Sequence, residues 1–241
     1  NAATIAVAVN NVIIGVATTL TNNGNINFTG SGDIFISTNA VLNNNASGVI
    51  DFKANASGFS PSGAAPRTLN NTGTIKTSFP SDSDQSTIDA ELINNDGTIQ
   101  VDSGILNLSN ANIQLIDGVY NIASGAALDW DAAVTLSGEL TGSINGDLNW
   151  RSSVIVVLDD TATFNFTGNE TVSWLGGSLA GGGTLINAST IAVAANNVTI
   201  GVATTLTNNG NINFTGSGDI FISTNAVLNN IATGVIDFKA S

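Results

Sequence analysis

A chain of 241 residues with no His, no Cys and no Met has only carboxylates, hydroxyls, amides and a few cations with which to do chemistry. Without His, every His-dependent triad or dyad is excluded, and imidazole and thiolate metal sites go with it. What remains is carboxylate chemistry of the kind that paired acids perform on glycosidic bonds. The one adjacent acidic pair, Asp159-Asp160, sits between VIVVL and TATFNF. A strand ending in a polar corner accounts for it, so no catalytic and no cofactor-binding residue is expected and the chain reads as a non-enzyme. Residues 81–91, SDSDQSTIDAE, could offer a hard cation the oxygens of Asp82, Asp84, Asp89 and Glu91. They lack EF-hand spacing, and a solvated acidic loop explains the same letters. Calcium is a weak candidate here and no metal is assigned.

Trp130, Trp150 and Trp174 could line a sugar-binding strip. Each, however, stands two positions after an aliphatic residue, in the slot that Phe28, Phe52, Phe214 and Phe238 fill elsewhere. Residues two apart on a strand point to the same side, so the three tryptophans are expected in a core of stacked aromatics.

These residues must be positioned by strands. The chain is 42% hydrophobic and 10% charged, rich in Asn, Thr, Ile, Val and Gly, a composition that favours β-structure. The formal net charge is −13, and the five cations Lys53, Arg67, Lys76, Arg151 and Lys239 are far apart, which argues against nucleic-acid binding. The longest apolar run, Val154 to Leu158, is far short of the roughly 20 residues of a membrane span. With neither a signal peptide nor a starting Met, the chain reads as a mature piece or fragment of something longer.

Two repeats are nested. Residues 1–55 match 187–241 without a gap, differing only at positions 3, 9, 13, 45, 47 and 55, so a unit of 186 residues (1–186) begins again at 187. Inside it a degenerate phrase, Leu-x-Asn-x-Gly-x-Ile-x-Φ with Φ an apolar or aromatic residue, recurs as LTNNGNINF (20–28), LNNTGTIKT (69–77), LINNDGTIQV (92–101) and LTNNGNINF (206–214). Following the apolar pair after each Gly, from Ile26/Phe28 to Ile212/Phe214, suggests eight steps of about 23 residues. That spacing predicts one continuous all-β parallel β-helix (β-solenoid) over 1–241, of about 10 coils, with a β-sandwich as the alternative. Corners at Asn-Asn-Gly suit the left-handed backbone that Asn and Gly tolerate. Asn22, Asn44, Asn71, Asn94 and Asn208 are candidates for a hydrogen-bonded ladder beside the corner glycines Gly24, Gly73, Gly97 and Gly210.

All three prolines fall in 54–68 and 78–87, read as loop insertions bulging from the coils. Loops on a rigid scaffold are where partners bind, which nominates Phe59, Arg67 and Phe79 as contacts. Thr19/Thr21, Thr161/Thr163 and Thr205/Thr207 raise an ice-binding face, but Thr-x-Thr does not recur in every coil.

At LTNNGNINFTGSG, LNNTGTIKT and LINNDGTIQVDSG the chain resembles the repeat regions of large bacterial surface adhesins, of the filamentous-haemagglutinin type and the giant repeat proteins of Bacteroidota, many of them exported by the type IX pathway. The resemblance implies an extracellular, cell-surface structural segment of a fibre or adhesin stalk. It also implies self-association and, as a candidate target, a glycan or protein on another surface. A carbohydrate-binding or polysaccharide-degrading β-helix and an ice-binding solenoid are the alternatives.

Overall fold

The computed structural model describes residues 1–110, 112–151, 154–158, 160–195 and 197–238. Asp159, half of the acidic pair, and the cation Lys239 lie outside them. The described residues form short strands and no helix, and none of them belongs to a helix long and apolar enough to cross a membrane.

Short runs alternating Ile, Leu, Val or Phe with Asn, Thr or Ser bury one side and wet the other. In Asn25–Phe28, Ile26 and Phe28 are fully buried while Asn25 and Asn27 face out. Three such strands make a coil. Thr4–Val7 lies in sheet A, Val12–Ile14 in sheet B and Thr19–Asn22 in sheet C; Asn25–Phe28 then returns to sheet A, in register on Thr4–Val7. Among the described residues every pairing between strands is parallel, which excludes the sandwich.

The sheet B column Val12, Ile34, Phe59, Ile88, Leu108, Trp130, Trp150, Trp174, Val193, Phe214, Phe238 takes ten steps over 226 residues, about 22.6 per coil. The fold is a parallel β-solenoid with the expected number and size of coils.

The register expected from sequence needs one correction. Ile26/Phe28, Ile50/Phe52, Ile75/Thr77 and Ile99/Val101 stack in sheet A. The pairs from Leu128/Trp130 onward stack in sheet B. The 29 residues from Val101 to Trp130 hold Ile105–Leu108, Ile113–Ile116 and Val119–Ile122 before Ala127–Trp130, so that step is one coil and one face. Val134–Ser143 is a ten-residue strand that runs from sheet C directly into sheet A. Counting its two halves separately, the 186-residue unit spans 25 strand positions, or eight and one-third coils, where eight were expected.

Two further expectations are corrected. Gly24, Gly73, Gly97 and Gly210 are not left-handed; positive φ falls instead on Ala17, Asn39, Ala56, Asp96, Asp117, Ala203 and Asn225 and on other glycines such as Gly104 and Gly138. The glycines are needed because the coil below passes too close: a Cβ on Gly73 would lie 2.2 Å from the Asn45 carbonyl oxygen. The stretches 54–68 and 78–87 are not plain loops either. Gly58–Ser62 is a strand of sheet B, Thr68 begins one in sheet C, and Gln85 begins another in sheet B. Pro61 is tolerated because its strand pairs with the next coil only at Gly58 and Phe59, leaving that edge open where the missing N–H falls.

Candidate functional site

The interior carries two amide ladders. Asn1, Asn22, Asn44, Asn71 and Asn94 each donate Nδ2 to the next member, at 2.9, 2.8, 2.7 and 2.6 Å, and Asn94 ends the column on the Tyr120 hydroxyl at 3.0 Å. The second ladder runs Asn187, Asn208, Asn230 with 2.8 Å at both steps. The amide orientation is fixed by its surroundings. The Asn22 oxygen accepts from the Gly24 N–H, and Nδ2 groups also reach carbonyls such as Gly48, Gly97 and Gly210. Asn22, Asn44, Asn71, Asn94 and Asn208 are all buried, as amides must be paired to be. They do not form one column, however. The first ladder's Asn22, Asn44, Asn71 and Asn94 belong to strands of sheet C, whereas Asn187, Asn208 and Asn230 belong to sheet A. Asn1, Asn187 and Asn230 lacked a full phrase, and Tyr120 has no Asn to announce it.

Beside the ladders run aromatic stacks. Phe28 and Phe52 lie 4.7 Å apart at 22°, with Phe59 edge-on to both. Trp150 and Trp174 stack at 4.2 Å and 6°, and Trp130 tilts against Phe164. All three tryptophans are fully buried, as expected of core residues and unlike a sugar-binding strip. Trp174 donates its indole N–H to the Gly176 carbonyl at 2.8 Å, whereas those of Trp130 and Trp150 are buried without a partner.

Phe59 and Phe79 are corrected as partner contacts: Phe59 is fully buried in the aromatic stack, and Phe79 is buried against Gly104. Period-2 alternation sends Phe59 inward as soon as 58–62 is a strand. Arg67 is half-buried, and its guanidinium donates to the Gly63 carbonyl at 2.9 Å, folding the exposed tip 63–66 back on the rod.

Among the described residues no three acidic side chains converge on a cation position. Asp82 lies beside Gly125, Asp84 in the turn after Ser81, Asp89 with Asp33 along a shallow groove on sheet B, and Glu91 on sheet C. Three of the cations pair with carboxylates, and Lys76 bridges two of them, reaching Asp102 at 3.5 Å as well as Asp51. Lys53 and Lys76 flank the buried Asp51, at 3.3 and 3.8 Å, and Arg151 meets Asp129 at 3.1 Å. Partial burial and the neighbouring Asp129 push the Asp131 carboxyl up, with Arg151 opposing. The Thr pairs occupy different faces, Thr19/Thr21 on sheet C and Thr161/Thr163 with Thr205/Thr207 on sheet A, where Ile186 separates Thr163 from Thr207.

No protein-family model matches the chain, and no curated protein and no solved structure shows significant similarity to it.

Proposed function

We propose that the chain is a non-catalytic structural segment of an extracellular fibre or adhesin stalk on a bacterial surface, associating with copies of itself. The observation that carries this reading is the second copy. Asn187, Asn208 and Asn230 repeat the ladder of Asn1, Asn22 and Asn44 at matching distances, and Phe214/Phe238 repeats the Phe28/Phe52 stack at 4.6 Å and 21°. A coil that contacts only its neighbours can be extended by copying, and here the copied letters are those that hold one coil to the next. The ladder amides are spent on bonds between coils, and burial of the tryptophans removes the feature that favoured a glycan strip. Negative-stain electron microscopy of the intact native protein tests the reading. Thin rods or fibres with a regular repeat are expected; compact isolated particles would overturn it.

A further inference from the structure

Because the unit spans eight and one-third coils, its second copy is written one face further round. Thr4–Val7 lies in sheet A and its copy Thr190–Val193 in sheet B; Thr19–Asn22 lies in sheet C and Thr205–Asn208 in sheet A; Ile34–Ser37 lies in sheet B and Asp219–Ile222 in sheet C. At about 4.8 Å per coil, the same surface returns about 40 Å along the axis and on the neighbouring side.

Charge sets that surface apart. Residues 1–55 contain Asp33, Asp51 and Lys53, net −1, and 187–241 contain Asp219, Asp237 and Lys239, also net −1. The remaining −11 of the chain's −13 falls on 56–186, with 14 acids against three cations. Two such chains repel each other wherever their middles meet and least where the duplicated stretches meet. The duplicated stretch also shows solvent an apolar residue at one corner of both copies: Val16 is 68% exposed and Val202 is 64% exposed, the latter well inside the rod with coils on either side.

We infer that the duplicated, nearly neutral surface around Val16 and Val202 is the contact between copies of this chain, presented on successive faces about a third of a turn apart. The inference rests on the fibre reading and adds the side on which neighbours sit. One rod then takes one neighbour through each copy, on two different sides, so association gives a branching assembly. A unit of eight whole coils would place both contacts in one line and give a flat ribbon.

The test uses the chain itself, in sedimentation over a range of concentrations with electron microscopy of the associated species. Val16→Glu and Val202→Glu place a carboxylate at an exposed position, and Val119→Glu places one at a partly exposed position outside the copies. The wild type and Val119→Glu are expected to form species larger than dimers. Each copy-specific variant should stop at dimers and the double variant should remain monomeric. In images of larger wild-type species, the two neighbours of a central rod lie on different sides. A monomeric wild type, equal loss in Val119→Glu, no loss in either copy variant, or two neighbours in line on one side would each overturn the inference. If rods persist in the native protein while association ignores positions 16 and 202, only the contact is wrong; compact native particles would defeat the fibre reading itself.

Discussion

Asn94 donates its side-chain amide to the hydroxyl of Tyr120, 26 residues, one coil and one face further on, at 3.0 Å. Tyr120 passes the bond on to the Asp117 carbonyl at 3.4 Å, converting a column of amides into an ordinary backbone contact. Removing that hydroxyl leaves a buried donor with one weaker partner, the Gly97 carbonyl at 3.3 Å. Tyr120→Phe is expected to lower stability by about 1–3 kcal/mol, read as a lower urea midpoint at unchanged m-value.

The same phenol makes stability alkali-sensitive. Burial pushes the Tyr120 pKa well above the ordinary tyrosine value near 10, the Asn94 hydrogen bond works against this, and the Asp117 charge adds to it. The folded state therefore keeps a proton that the unfolded chain gives up. The associated stability is complete below about pH 10 and is lost as pH rises beyond it. Since Tyr120 is the only tyrosine, ultraviolet titration should show phenolate appearing together with unfolding. An earlier, freely reversible titration would show that the hydroxyl is not buried.

Inner and outer amides should differ. Asn71 accepts from Asn44 and donates to Asn94 inside the rod, whereas Asn70 donates to Asn43 at 2.8 Å on the outer face. Asn71→Ala leaves the buried Asn94 oxygen without a donor and Asn44 with only the Gly48 and Thr74 carbonyls at 3.2 and 3.1 Å, and should cost about 2–4 kcal/mol, against about 0.5–1.5 kcal/mol for Asn70→Ala. Equal thermal shifts would mean that the ladder adds nothing beyond solvated turns.

A difference between the copies has left one bond unmade. Asn45 donates to Asn23 at 2.8 Å, but the copy of Asn45 is Ile231, and the side-chain oxygen of Asn209, the copy of Asn23, is buried without a partner. Ile231 is 39% exposed and gives up little buried area. Ile231→Asn is expected to stabilise by about 1 kcal/mol and Asn45→Ile to destabilise by a similar amount, measured as shifts in thermal midpoint.

The solenoid was legible because Leu-x-Asn-x-Gly-x-Ile-x-Φ couples a period of two to a corner, and together they demand parallel stacking. Burial of the tryptophans followed from the same alternation. Coil register was legible only where the phrase was intact. The 29-residue gap between Val101 and Trp130 was the available sign of an extra face, but an average step absorbs it. Phe59 and Phe79 were misplaced because prolines nearby suggested loops, whereas an edge left open at Pro61 allows a strand. Tyr120 could not be read as the end of a ladder, since a phenol replaces an amide there only through geometry.

Every rung of both ladders donates toward the higher-numbered residue, from Asn1 to Tyr120 and from Asn187 to Asn230. The amide dipoles of each column therefore point the same way and reinforce one another. The rod is a vector: head and tail are distinguished at every rung. Two rods lying side by side head-to-head and head-to-tail are then different species electrostatically, and a bundle that selects one of them inherits a direction from its amides.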